Sequence, residues 1–292
     1  MVTVTEGTFH VNGADLYTKT WKPETTTRAK LVYLMGVADH VGLQAYDELF
    51  TALANGGIMT FAHDSRGWGR SARTPKDRGN VGSNEQVLQE NAAFIRAQLI
   101  SDEPVFVMGY STGGNIVLTL MCLPEYSDLA TEIRGWLLHS PHVGFAPGNG
   151  NDFKGSIVRL FAKVMPKLQV SNTIPLDKVT RDPIAISTQK KDPYWEPTVT
   201  LEFLDGLIGR AEALRRGEVT LNNGINSVWV GHGNGDVWIS YKDSKAWYVR
   251  QTLEDGEFKT YEGWYHQLHA DLPETREIFA KEINDWILAR LI

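Results

Sequence analysis

The chain has 292 residues, 42% of them hydrophobic and 22% charged, enough to bury a substantial core as one large domain or as a domain carrying an inserted module. Its 29 basic and 35 acidic side chains leave a formal charge of −6 with no basic block, which argues against nucleic acid or another polyanion as a partner. A single cysteine, Cys122, excludes an internal disulfide framework and any multi-cysteine metal site.

The predicted elements alternate. Residues 16–21 read as an early strand and 29–35 as a buried one. Residues 46–55 read as a helix, stopped by Gly56-Gly57. A strand at 58–62 and a longer helix at 84–100 follow, then the short apolar run Val105-Phe106-Val107-Met108 and a helix over 115–120, in which Cys122 reads as a small apolar residue. Residues 133–139 read as the next strand. From 142 to 221 no buried strand is visible, only helical pieces and turns. The pattern then resumes with strands at 227–230 and 258–261 and helices at 244–253 and 273–291. This alternation predicts an α/β fold with a mostly parallel central sheet and helices on both faces. Some eighty residues between two core strands are too many for an ordinary connection. The expected division is a core of residues 1–141 and 222–292, with a mostly helical cap of residues 142–221 inserted after the sixth strand, over the strand ends where ligands bind in such sheets. The start of the chain lacks a basic stretch followed by an apolar core, and no run approaches the ~18 apolar residues of a membrane span, so a soluble cytoplasmic protein is expected.

Chemistry concentrates at Gly109-Tyr110-Ser111-Thr112-Gly113. A Gly-x-Ser-x-Gly between a strand and a helix is a nucleophile elbow, a tight turn that lifts a serine hydroxyl above the sheet end. Serine alone is a weak nucleophile, so a histidine base and an acid that fixes its tautomer must follow. Gly231-His232-Gly233-Asn234-Gly235-Asp236 lies behind one late strand and Glu262-Gly263-Trp264-Tyr265-His266 behind the next. Asp236 and His266 stand 30 residues apart, room for one helix and one strand between their loops. They are the candidate acid and base for Ser111. Asp243 is the rival acid, but its place at a helix start reads as ordinary capping. His266 and His269 could pass for a metal pair, but without a third ligand they are weak evidence for zinc. His269 reads as a pocket residue, and His232 and His63 as strand-end residues with hydrogen-bonding roles. The oxyanion formed by attack on a carbonyl needs two donors, assigned to the N–H groups of Thr112 and Val37. No cofactor or metal is required.

These blocks resemble the monoacylglycerol lipase-like (lysophospholipase-type) serine hydrolases of the α/β-hydrolase fold. Met35-Gly36-Val37-Ala38-Asp39-His40 is similar to that family's HG-x-x-E-H oxyanion loop, and Phe61-Ala62-His63-Asp64-Ser65-Arg66-Gly67-Trp68-Gly69-Arg70-Ser71 to its F-x-H-D-x-x-G-H-G-x-S block. Gly109 to Gly114 corresponds to G-H-S-M-G-G, and the stretch from Tyr261 to Glu274 is the closest match. Thr180-Arg181-Asp182-Pro183 and Lys191-Asp192-Pro193 are similar to recurring turns of the cap. The resemblance implies a lipase or serine esterase with a catalytic triad and a lid domain, acting in lipid metabolism on a small apolar ester. Family members usually carry histidine where Met35 and Tyr110 stand here, and an arginine after the oxyanion loop is replaced by Leu43-Gln44-Ala45. Those positions lie near where the family holds a glycerol headgroup. The departures point to a larger or less polar leaving group, or to an acyl portion unlike a plain fatty chain.

Within the cap, Phe153, Ile157, Leu160, Phe161, Val164 and Leu168 recur at helical spacing, with Lys154, Arg159, Lys163 and Lys167 among them. One reading is a lid helix over an apolar tunnel. The sharper one is a lid that also leans on a membrane or lipid-droplet surface, its lysines meeting anionic headgroups. Met35, Tyr110 and His269, with Ile157 and Phe161 of the cap, are the candidate substrate contacts. Three functions stay open at this point: a carboxylic-ester hydrolase; a thioesterase, lactonase or acyltransferase of a specialised pathway using the same triad; and a non-catalytic binder on a retired scaffold, which the intact Ser111, Asp236 and His266 argue against.

Overall fold

A computed structural model describes residues 2–148, 152–171 and 174–291; the side chains of Phe153 and Lys154 lie outside the described residues. The chain opens with β1 (Thr3–Val11) and β2 (Ala14–Lys22), an antiparallel hairpin. Asn12 and Gly13 make its two-residue turn, both at positive φ (47° and 70°), as a type I′ turn requires. β1 was not among the predicted strands. Its residues are nearly all exposed, so it lacks an apolar run, and the Asn-Gly dipeptide is the one local signal that marks it.

There follow β3 (Ala29–Leu34), α1 (Gln44–Asn55), β4 (Ile58–His63), α2 (Asn84–Arg96), β5 (Val105–Tyr110), α3 (Thr112–Cys122), α4 (Ser127–Glu132) and β6 (Gly135–His139). Then come α5 (Asp152–Val164), β7 (Gln169–Ser171), α6 (Leu176–Val179), α7 (Pro183–Lys191), β8 (Thr198–Thr200) and α8 (Leu201–Arg216). The chain closes with β9 (Ser227–Gly233), α9 (Tyr241–Val249), β10 (Asp255–Tyr261) and α10 (Pro273–Leu288). Two predicted helices are shorter or displaced. α2 stops at Arg96, and Ile100, expected inside it, stands exposed. α9 begins at Tyr241 because Ser240 caps it by accepting the Asp243 N–H at 3.1 Å; the cap is thus Ser240, and Asp243 sits in the first turn. β7 and β8 pair in a small antiparallel sheet that the reading of residues 142–221 missed, each strand being only three residues long.

The main sheet runs β1-β2-β4-β3-β5-β6-β9-β10. β4, β3, β5, β6, β9 and β10 are mutually parallel, and β2 joins β4 antiparallel. All six residues of β3 are buried, as are those of β5, because helices cover both faces. Alternate side chains serve opposite cores. Leu31, Tyr33, Phe106 and Met108 pack with Phe50 of α1 and with Phe279 and Trp286 of α10. Val32, Leu34 and Val107 pack with Ile95 of α2, Val117 of α3 and Trp247 of α9. The carboxyl ends of the parallel strands therefore bring the loops after β3, β5, β6, β9 and β10 together along one edge. Among the described residues, no helix is long and apolar enough to cross a membrane. Cys122 is buried, and burial pushes its thiol up to about 12, the environment of a packing residue.

α3 approaches the sheet closely. A Cβ on Gly113 would lie 2.2 Å from the Leu34 carbonyl oxygen, and one on Gly109 would lie 2.4 Å from that of Gly113. Because both obstacles are backbone, Gly113→Ala should cost about 3 kcal/mol or more, the upper part of the overpacking range. Urea unfolding of this variant against the parent checks it; an unchanged midpoint would contradict the close packing.

Candidate active site

β5 ends at Tyr110 and α3 starts at Thr112, so Ser111 alone makes the turn between them. Its backbone sits at φ 52°, ψ −112°, a conformation that costs free energy in a non-glycine residue and persists only where its surroundings enforce it. Here they do. The Ser111 N–H donates to the His139 carbonyl at 3.0 Å, and the Ser111 carbonyl accepts from the N–H groups of Asn115 and His142, both at 3.0 Å.

From this buried serine a chain of hydrogen bonds runs through the histidine to the acid. Ser111 Oγ lies 2.9 Å from His266 Nε2, and His266 Nδ1 lies 2.7 Å from Asp236 Oδ2. The sequence-predicted acid, base and nucleophile are thus brought together from three loops. Asp236 Oδ2 also meets His232 Nε2 at 2.9 Å, while Oδ1 accepts the N–H groups of Trp238 (2.8 Å) and Ile239 (2.9 Å). Burial works to raise the Asp236 pKa, but the facing His266 and the hydrogen bonds from His232 and His266 outweigh it and hold the carboxyl well below the usual range. His232 is therefore a second partner of the acid, in keeping with the hydrogen-bonding role its strand-end place predicts. Asp243, the rival acid, instead lies against Gly144, where a Cβ would come 2.4 Å from Asp243 Oδ2. Among the described residues, His232, Asp236 and His266 are the one grouping with metal-ligand proximity, their ligand atoms within 4.8 Å of one another. Those atoms already bond to one another, and His266 Nε2 faces Ser111, so the set reads as a proton-transfer chain.

The other predicted site residues fall at different distances from this chain. Val37, in the loop after β3, lines the same small cavity as Ser111, Tyr110 and His266. It precedes Ala38, a non-glycine residue at φ 62°. Thr112 opens α3, where the first N–H groups have no intrahelical acceptor. Tyr110 is buried with its ring 4.5 Å from His139 and 5.0 Å from both His266 and His269, and a Cβ on Gly36 would collide with it at 2.7 Å. It packs against the His266 imidazole as well as lining the cavity. His269 stacks on Tyr46 at 4.3 Å and faces a separate pocket of about 210 Å³ with Leu43, Gln44 and Arg276. Met35 lines another cavity of about 10 Å³ beside Thr112 and Phe203. Ile157 and Phe161 lie on α5 with 40% and 47% of their surface exposed.

Sequence reasoning did not single out Asp39, Gln189, Gln267 or Trp238, which share the cavity of Ser111. Asp39 accepts the Tyr46 hydroxyl at 2.7 Å and Gln189 Nε2 at 3.4 Å, and burial pushes its carboxyl up to about 6. Asp39 stands at the acidic position of the oxyanion-loop motif, a signal that was present; Gln189 and Gln267 carry no motif. The cavity itself measures about 20 Å³, room for roughly one water.

Residues 25–273 match the model of the serine aminopeptidase family, S33. The chain belongs to this family. Within or beside it, human monoglyceride lipase is 28% identical over 296 residues, covering 96% of this chain and 89% of that protein. The monoacylglycerol lipase of Mycolicibacterium smegmatis is 26% identical over 285 residues, covering 96% of this chain and 95% of that protein. In crystal form, a soluble variant of Saccharomyces cerevisiae monoglyceride lipase in complex with a substrate analog superposes with a TM-score of 0.87 at 21% identity, covering 99% of this chain and 97% of that one. The S33 serine aminopeptidase family member described here has the α/β-hydrolase fold.

Burial holds His40, His63, His139, His142, His232 and His269 below the ordinary imidazole range, His142 and His269 down to about 3. The folded state refuses protons that the unfolded chain accepts below ~6.5, so this stability is present above that pH and lost as pH falls toward 3. Asp39, Asp64 and Glu90 act oppositely, since burial raises them and the folded form keeps their protons longer. The histidines outnumber the acids. Stability should fall by a few kcal/mol, to order of magnitude, between pH 7 and pH 5; denaturant midpoints at the two values test this, and equal midpoints would contradict it.

Proposed function

We propose that Ser111 is the nucleophile, His266 the general base and then acid, and Asp236 the group that orients and steadies the imidazolium. The enzyme class is a carboxylic-ester hydrolase of the serine type acting on lipid-like esters. The observation that carries the assignment is the unbroken pair of hydrogen bonds from Ser111 Oγ through His266 to Asp236, at 2.9 and 2.7 Å. His266 Nε2 takes the hydroxyl proton as Oγ attacks the ester carbonyl, the N–H groups of Val37 and Thr112 receive the oxyanion, and His266 returns the proton to the departing alcohol. Water, activated by the same imidazole, then cleaves the acyl-enzyme.

The chemistry of the cavity wall fits an ester with two unlike ends. Ile174, Leu176, Val179 and Trp238 are apolar, whereas Asp39, Gln189 and Gln267 are polar. The Gln267 Oε1 is a buried acceptor without a donor among the described residues, as a substrate hydroxyl would supply. This favours an aliphatic acid esterified to a short hydroxylated alcohol, the monoacylglycerol type, over the larger or less polar leaving group to which the departures at Met35 and Tyr110 point. Residues 142–221 act as the cap, and because about 20 Å³ admits no such ester, the cap must part before substrate enters.

The outer face of α5 exposes Leu160 and Val164 beside Lys163, which suits peripheral contact with an anionic lipid surface. Sedimentation with anionic vesicles should capture the parent, and Leu160→Ser/Val164→Ser should reduce capture severalfold; equal capture would exclude this face.

A fluorophosphonate probe followed by mass spectrometry should place its label on Ser111. Ser111→Ala should lower turnover of a monoacylglycerol by ~10⁶ and Asp236→Asn by ~10⁴. A label elsewhere would refute the assignment, and turnover of thioesters or lactones in preference to monoacylglycerols would refute the substrate class.

A further inference from the structure

At the end of α3 away from Ser111, a groove of about 460 Å³ lies between that helix and the cap helices α5 and α8. Cys122, Leu123 and Leu214 give it an apolar side and Arg159, Lys163 and Arg210 a basic one, with Asp205 also in the lining. Arg159 is already paired, with Glu212 at 2.6 Å and Asp205 at 3.6 Å. Arg210 is not. It is only 6% exposed; its Nε donates to Asn115 Oδ1 at 2.7 Å and its Nη1 to Asn84 Oδ1, both neutral amides, and its Nη2 has no acceptor among the described residues. Burial pulls the guanidinium down to about 10, which leaves it charged at neutral pH. A buried cation with a donor to spare is costly unless an anion meets it. A strut joining cap to core would account for Nε and Nη1 and leave both Nη2 and the groove unexplained. Two glycines of α8 help to open the space: a Cβ on Gly206 would come 3.4 Å from Arg210 Nη1, and a Cβ on Gly209 would meet nothing within 4 Å.

We propose that this groove is a second ligand site, which takes an amphiphile with a single carboxylate head, the head meeting Arg210 and Lys163 and the apolar body lying on Cys122, Leu123 and Leu214. The site does not depend on the role given to Ser111, although a carboxylate with an apolar body is also what ester hydrolysis releases. Arg210 is connected to the elbow, since Asn115 carries its Nδ2–H to the His142 carbonyl at 2.9 Å and its backbone N–H to the Ser111 carbonyl at 3.0 Å.

Isothermal titration of the full chain with octanoate, octanol, acetate and inorganic phosphate tests the site without reading turnover. Octanoate should bind saturably at one site, with the other three at least about tenfold weaker, the difference one charge-assisted hydrogen bond or the lost apolar body makes. Arg210→Gln should weaken octanoate about tenfold. Gly209→Leu should abolish binding with no fall in melting temperature, because the new side chain enters open space in a helix that tolerates leucine well. Should Arg210→Gln fail to fold, Gly209→Leu decides alone. Octanoate binding that survives Gly209→Leu, octanol binding as tightly as octanoate, binding by phosphate or acetate alone, or no binding at all would each overturn the proposal. None of these outcomes bears on labelling of Ser111.

Discussion

The buried carboxylate of Asp236 is the constraint on which the site depends. An ionised carboxyl taken out of water is expensive unless its lone pairs are filled, and here four donors fill them: two imidazole N–H groups and the backbone N–H groups of Trp238 and Ile239. That solution demands a particular loop. β9 and β10 pair in parallel, Gly233 opposite Tyr261, which sets the acid loop and the histidine loop side by side. The two then interlock through Asn234 N–H to the Tyr261 carbonyl at 3.1 Å and Gly235 N–H to the Trp264 carbonyl at 3.0 Å. A Cβ on Gly233 would lie 2.2 Å from the Trp264 carbonyl oxygen. Sheet register, glycine and buried charge are therefore one arrangement, and the orientation of His266 follows from it.

The serine side is held by different means. Ser111 keeps a strained backbone because three hydrogen bonds, one from its N–H and two to its carbonyl, hold it there. Next to it, Tyr110 fills the space under the imidazole and touches His139, His266 and His269. In the family pattern a histidine stands there. The tyrosine here packs its ring against the His266 imidazole and leaves no room for a side chain at Gly36, where a Cβ would lie 2.7 Å away. Asp64 plays a purely structural part: its carboxylate accepts the N–H groups of Val41 and Arg70, both at 2.7 Å, and so ties the loop after β3 to the loop after β4.

Legibility in the sequence followed how local each signal was. The buried parallel strands announced themselves as apolar runs, and Ser111 and Asp236 could be read because each lies just behind such a run; His266 follows the half-exposed β10 and was legible from its order after Asp236. β1 could not be read that way, since its side chains face solvent and its place comes from pairing with β2; only Asn12-Gly13 marked it. β7 and β8 are held by three-residue pairing with each other, and no window that short carries periodicity. Gln189 and Gln267 reach the cavity from elements far apart in the chain, and a glutamine on an amphipathic helix looks like any surface residue until the fold is known. For Arg210 the difficulty was the same: it sits in the interior of a charged helix, and its burial becomes visible only once α8 lies against α3 and α2.

Two seams tie residues 142–221 to the rest of the chain. On one side Gln267 N–H donates to the Val179 carbonyl at 2.7 Å, Thr180 Oγ1–H to the Ala270 carbonyl at 2.6 Å, and Arg181 forms a bidentate pair with Asp271. Arg276 adds a bond to Asp182 at 2.9 Å. On the other side Trp68 Nε1–H meets the Thr198 carbonyl at 3.0 Å, Thr200 N–H meets the Gly79 carbonyl at 3.0 Å, and Arg210 holds Asn115. Lifting the cap as one body would break both seams, including a pair whose Asp271 partner is fully buried, at a cost of several kcal/mol. Ile174 and Leu176, which line the cavity of Ser111, make none of these seam bonds. The bond from Gln267 to Val179 instead fixes the start of the segment behind His266, so the seam and the imidazole are positioned together.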